Sequence, residues 1–137
     1  MKTSPLSHFL FLTLLLYTLC SCSLSFNIYA QNKPKQTLAE KKAFQRANDL
    51  YKRLQQGANF DSLARYSSND IGSAKQGGKL GWARKGQMVA EFEATVLTLK
   101  PGEISKPVRS DFGYHIIQLL QWKGDEYESR HILIRLE

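Results

Sequence analysis

The amino-acid sequence predicts a small α+β domain, with helices packed against an antiparallel sheet. Three observations carry that expectation. A capped amphipathic stretch follows Gln36, a strand-like run spans Tyr114 to Trp122, and breaks rich in Gly, Ser, Asn and Asp separate the periodic segments.

Along the chain, Gln31 to Gln36 reads as a polar linker (residues 31–36), and the domain proper occupies 37–137. Thr37-Leu38-Ala39-Glu40 has the pattern of a capping box, in which the Thr37 hydroxyl accepts a helix N–H and Glu40 reaches back. Phe44, Ala47, Tyr51 and Leu54 then recur at spacings of three and four, an apolar helix face that Gly57 stops. Asn59 is placed to cap a shorter helix with Phe60, Leu63 and Ala64 inward. Ser67 to Gly78 reads as a loop, and Leu80-Gly81-Trp82 as a short strand. Val89 to Leu99 is helical in pattern, with Phe92, Val96 and Leu99 on one stripe, and Pro101-Gly102 ends it. Ile104 to Val108 contains Pro107, which places that strand at a sheet edge. Tyr114 to Trp122 is the strongest strand, Lys123 to Glu126 a turn, and Ser129 to Leu136 a final strand.

Residues 1–30 read as a targeting segment rather than fold. Lys2 precedes the apolar run Phe9 to Leu19, which is short for a membrane span. Cleavage after Ala30 fits a signal peptide, and Leu19-Cys20-Ser21-Cys22 fits a lipoprotein leader that ends before a lipidated Cys22. Either reading implies an exported protein. Both cysteines lie in this segment, so the body, about 107 residues, holds together without disulfides and offers no thiol for catalysis or metal binding. The formal charge is +7, and the leader accounts for one lysine and no acid. The remaining basic residues are spread along the body, as on a solvated surface, with no nucleic-acid recognition motif.

Several blocks in order, FDSLARYS, GSAKQGGKLGW, GQMVAEFEATVLTLKPGEIS and FGYHIIQL, closely resemble the parvulin (rotamase) family of peptidyl-prolyl cis/trans isomerases. The resembling region runs from about Ala39 to Trp122. It implies a four-stranded antiparallel sheet flanked by helices. It also implies an isomerase that rotates Xaa-Pro amides without cofactor, metal or covalent step, acting on proline-containing unfolded or extended polypeptides. For an exported chain, that means help in folding secreted or envelope proteins in the bacterial periplasm or envelope, with membrane contact only through a lipid on Cys22. Matched position by position, Leu80, Met88 and Phe92 correspond to the family's apolar proline pocket, and His115 and His131 to its paired histidines. Ser110 corresponds to the hydroxyl that bonds to that pair, and Asp70 to the loop position carrying Cys or Asp. Gln87 is placed to bond the substrate backbone and Phe112 to shape the pocket rim. The alternative use of the same groove is a non-catalytic chaperone or peptide-binding module, against which Met88, Phe92, His115 and His131 favour activity.

One piece is displaced. Parvulin domains open with a strand of the type RHILI, whereas here Arg130-His131-Ile132-Leu133-Ile134 stands at the far end. Either the C-terminal strand fills the usual first-strand position within this chain, or the chain is a fragment of a tandem-domain protein. Occupation within the chain is the expected outcome. It would join two antiparallel neighbours as a hairpin, with Ile132 and Ile134 on one face and His131 and Leu133 on the other. Barring a bulge, a two-residue Gly124-Asp125 turn would put His115 and His131 on opposite faces, so a loop of three or five residues is expected.

Overall fold

The computed structural model describes residues 36–137, and the expected leader, with most of the linker, lies outside the described residues. Helix α1 spans Leu38–Gln55, α2 Phe60–Ser67 and the single turn α3 Ile71–Ala74. Strand β1 spans Lys79–Arg84, helix α4 Ala90–Val96, β2 Val108–Ser110, β3 Gly113–Lys123 and β4 Glu126–Ile134. The four strands form one antiparallel sheet in the order β1-β4-β3-β2. The last strand therefore lies inside the sheet, hydrogen-bonded on both sides, as expected.

The helix signals act where the sequence places them. Thr37 Oγ1 accepts the Glu40 N–H at 3.1 Å while Glu40 accepts the Thr37 N–H at 2.9 Å, a complete capping box. Asn59 Oδ1 accepts the Ser62 N–H at 2.9 Å and starts α2. The buried stripe of α1 is Ala43, Ala47, Leu50 and Leu54 rather than the expected Phe44, Ala47, Tyr51 and Leu54. Two alanines let the helix approach the sheet closely. Phe44 is left at its flank, 41% exposed, with its ring 5.4 Å from that of Tyr114.

The alternation of β3 and β4 divides the interior into two cores. Tyr114, Ile116, Ile132 and Ile134 pack under α1 and α2. Ile117, Leu119, Tyr127 and Ala83 pack under α4 through Phe92 and Val96. Burial on both faces explains why β3 reads as a nearly continuous apolar run. Helix α4 is shorter than expected, because Thr98 and Leu99 donate to Thr95 and Val96 in tightened turns after Val96. The expected strand Ile104 to Val108 is also revised. Ile104 makes only an isolated bridge to Gln118, and Ser105 takes its place beside β3, with Oγ accepting the Ile117 N–H at 3.0 Å. The strand proper begins at Val108, immediately after Pro107, and lies at the sheet edge.

The expected three- or five-residue hairpin loop is overturned. Lys123 pairs with Glu126, so the loop is the two residues Gly124-Asp125, with Gly124 at φ 57° in the first central position. A bulge supplies the missing residue instead: Leu119 pairs with Ser129 but Gln121 pairs with Glu128, leaving Leu120 unopposed. That insertion shifts the register by one, so that His115 opposes Leu133 and Ile117 opposes His131. Opposed residues share a face, and both histidines thus point to the α4 side.

Deleting residues 126–137 removes the strand that joins β1 to β3 and exposes both cores. The truncated protein is expected to lose its cooperative urea transition, and a retained sigmoidal curve with the parent slope would show β4 to be dispensable. Ser129 is fully buried between Tyr127 and His131, and its hydroxyl has no partner among the described residues. Ser129→Ala removes that unsatisfied group and is expected to raise the unfolding free energy by about 1 kcal/mol, read as a higher urea midpoint.

Candidate active site

The site lies on the α4 face of the sheet, where the central strands bring the two imidazoles together. His115 and His131 are both buried, with ring centroids 5.3 Å apart at an interplanar angle of 22°. Phe92 meets each ring edge-to-face, with centroids 5.8 Å apart and interplanar angles of 87° and 73°. This aromatic packing locks both histidine side chains.

Their nitrogens form a single hydrogen-bonded chain. Asp70 Oδ2 lies 2.8 Å from His131 Nε2, His131 Nδ1 3.1 Å from His115 Nδ1, and His115 Nε2 2.6 Å from Ser110 Oγ. A carboxylate only accepts, so His131 Nε2 carries the proton. Neutral His131 then has a bare Nδ1, which accepts from His115 Nδ1–H. His115 Nε2 is bare in turn and accepts the Ser110 hydroxyl proton. Ser110 Oγ accepts the Phe112 N–H at 3.2 Å, and Ser73 donates its hydroxyl to Asp70 Oδ2 at 2.5 Å. Every donor in the row points toward the one anion, and two neutral imidazoles satisfy all the bonds.

Burial dictates the same protonation. It lowers His115 to about 4, helped by His131 and opposed by Asp70. Burial also lowers His131, against the pull of the Asp70 carboxylate. At Asp70 burial alone would raise the carboxyl, but hydrogen bonds from Ser73 and His131 outweigh it and hold the group below its usual value.

The position of Asp70 depends on the tract before it. Asn69 N–H donates to the Leu133 carbonyl at 2.7 Å, Ser68 Oγ accepts the Leu133 N–H at 3.1 Å, and Asn69 Oδ1 accepts the Arg135 N–H at 3.1 Å. These polar residues continue the pairing of β4 past the end of β1. The stretch expected to be all loop is therefore fastened to the strand and includes the helical turn α3. Gly78 closes the gap between them: its carbonyl accepts the His131 N–H at 2.9 Å, and a Cβ there would come within 2.2 Å of the His131 carbonyl oxygen.

Beside the imidazoles is an open cup of about 330 Å³, near the small end of the ~300–1,000 Å³ range for ligand pockets. All of the expected pocket residues line it: Leu80, Met88, Phe92, Gln87 and Phe112, together with His115, His131 and Asp70. Ser110 lies behind His115 and does not line it. Phe92, only 2% exposed, is the floor, and Phe112, 56% exposed, forms the rim. Leu80 is the extra residue of a bulge between Lys79 and Gly81, where Gly81 has φ 74°. Gln87 spends its carbonyl on the Arg84 N–H at 2.6 Å, which leaves its amide N–H₂ to face a ligand. Val89, Leu133 and Arg135 also line the cup, and sequence reasoning did not assign them there. Strand alternation from His131 contains the signal for Leu133 and Arg135, and Ser73 lies one helical turn after Asp70.

Comparison with known proteins identifies the family of the chain. The family model described as Rotamase, PPIC-type PPIASE domain, matches residues 28–121. The chain is similar to Chaperone SurA of Chromohalobacter salexigens, 53% identical over 73 residues, covering 53% of this chain and 17% of that protein. It is similar to Chaperone SurA of Thiobacillus denitrificans, 44% identical over 94 residues, covering 69% of this chain and 21% of that protein. The chain thus matches about a fifth of the length of these curated relatives. Among solved structures, the peptidylprolyl isomerase PrsA of Bacillus anthracis superposes with a TM-score of 0.58 at 44% identity, covering 58% of this chain and 37% of that one. PrsA of Bacillus subtilis gives 0.55 at 41% identity, covering 59% and 32%. The family match stops at Gln121, so β4 and its His131 lie beyond it.

The lowered histidines make stability depend on pH. Unfolded histidine titrates near 6.5. Between that value and the native value of about 4 for His115, the unfolded chain binds more protons than the native one. Stability from this pair is therefore fully present above about pH 6.5 and falls as pH drops toward about 4, by at most about 1.4 kcal/mol per pH unit for each histidine. Asp70, held low, has the same sign and adds its loss at the acid end of that range and below. Urea unfolding across pH 4 to 8 measures the slope, and a flat profile between 4 and 6.5 would contradict the buried neutral pair.

Proposed function

The chain belongs to the PPIC-type peptidyl-prolyl isomerase (rotamase) family, and we propose that it is an active, parvulin-type isomerase that helps exported polypeptides fold. The observation that carries this reading is the unbroken row Asp70–His131–His115–Ser110 beside an apolar cup. The substrates are proline-containing unfolded or extended polypeptides. The leader-like start, Lys2 followed by the run Phe9 to Leu19, supports action in the bacterial periplasm or envelope, as a soluble protein or as a lipoprotein through Cys22.

Amide resonance opposes rotation by about 18–20 kcal/mol. For Xaa-Pro the uncatalysed exchange takes tens to hundreds of seconds. Acceleration requires the site to hold the twisted amide better than either planar form. The residues suit that task. Leu80, Met88 and Phe92 enclose a proline ring with an aliphatic wall, an adaptable thioether and an aromatic floor. A twisted amide has lost its resonance charge separation, so a weakly polar cup disfavours it less than it disfavours the planar form. The Gln87 N–H₂ can hold the substrate backbone while rotation proceeds. The imidazoles stay neutral and fixed, which leaves the Asp70 carboxylate, at the partly exposed end of the row, as the row's single charge.

The binding-module reading uses the same cup without the rate. It draws support from the chaperone relatives, of which this chain matches a small part. A proline-peptide exchange assay on the unmutated protein separates the two. Acceleration is expected, and Met88→Ala should lower it about tenfold, equivalent to about 1.4 kcal/mol of transition-state stabilisation. Met88 is only partly buried, so this variant perturbs the fold less than Phe92→Ala, which empties a fully buried position. No acceleration by the unmutated protein, with peptide binding intact, would leave the binding module.

A further inference from the structure

The loop Lys85–Val89 delivers Gln87 and Met88 to the cup, yet all its residues except Met88 are exposed. Gly86 adopts φ 91°, and so short an exposed segment has little packing to hold it. Two restraints are local: Gln87 Oε1 accepts the Arg84 N–H, and the Gln87 N–H donates to the Arg84 carbonyl at 3.2 Å. Another comes from outside the loop. Gly86 N–H lies 2.7 and 2.9 Å from the two carboxylate oxygens of Glu93. Glu93 Oε1 also accepts the Tyr127 hydroxyl at 3.4 Å. Burial, reinforced by Glu93, pushes the Tyr127 phenol up to about 12, so it remains a donor at neutral pH.

The placement of these partners is informative. Glu93 follows the cup floor Phe92 in α4, and Tyr127 stands four residues before His131 on the same central strand. One carboxylate therefore joins the loop, the helix and the strand that form three walls of the cup. A hydrogen bond to a charged acceptor is stronger than a neutral one, and two oxygens on one N–H also restrict its direction.

We propose that Glu93 is a positioning residue: by holding the Gly86 N–H with both oxygens and anchoring on Tyr127, it fixes the 85–89 loop so that Met88 and Gln87 face the paired imidazoles. The inference rests on the isomerase reading above. Its test therefore includes readouts that do not need catalysis.

The full chain is compared with Glu93→Ala and Glu93→Gln by amide hydrogen exchange at Gly86, by NMR titration with a tetrapeptide containing one Xaa-Pro bond, and by exchange kinetics on that peptide. Glu93→Ala is expected to speed Gly86 exchange about tenfold or more and to raise both Kd and KM about tenfold, with kcat changed much less. Glu93→Gln keeps one acceptor oxygen and should fall between, and it carries the test if the alanine variant does not fold. Unchanged Gly86 exchange would overturn the proposal. So would a fall in thermal midpoint with Kd and KM unchanged, which would make Glu93 a stability residue alone. If the unmutated protein binds the peptide without isomerising it, the isomerase reading fails, and Kd with Gly86 exchange still decides the role of Glu93.

Discussion

The pairing of β4 between β1 and β3 is the constraint on which the rest of this structure depends. Without that strand the sheet has no continuous centre, and Ile132 and Ile134 leave one core while Tyr127 leaves the other. The same strand carries His131, whose backbone is bonded to Gly78 on one side and opposed by Ile117 on the other. Sheet integrity and site assembly are thus one event. A one-residue slip would turn the imidazole into the α1 core and away from Asp70 and His115.

The polar row shows how a titratable pair is kept uncharged near an anion. Asp70 is half-exposed and keeps its charge, while the imidazoles are buried and give theirs up. Each ring nitrogen then has one role, donor or acceptor, and the row is fully satisfied. Phe92 serves both the row and the cup, since its edges pack on the rings and its body floors the pocket. That shared residue explains why an apolar cup and a hydrogen-bonded network coexist within a few ångströms of each other.

Two bulges and one polar tract give the site its shape. Leu120 resets the strand register, and Leu80 is turned into the cup where regular pairing would point it elsewhere. Ser68 and Asn69 act as a substitute strand edge, satisfying β4 groups that β1 is too short to reach. Irregular backbone is concentrated where side chains must converge, and the regular helices supply the packing that tolerates it.

Much of the fold was legible from local chemistry. The Thr37–Glu40 box, the Asn59 cap, the stop at Gly57 and the apolar run of β3 depend on neighbours within a few residues, and they form as the sequence predicts. The residues of the cup were legible through family resemblance, because ordered blocks identify positions even where periodicity is silent. The hairpin was not legible: a two-residue turn and a bulge at Leu120 give the same facing as a longer turn without one, and strand alternation cannot tell them apart. Nor was the buried stripe of α1, since Ala43 wins over Phe44 only when a particular sheet comes close enough to prefer a small residue. Chain neighbours within a turn or a cap therefore settled the elements. The directions in which they face, the row from Asp70 to Ser110 and the reach of Glu93 to Gly86 were settled by contacts between residues distant in sequence, which exist only once the sheet has closed.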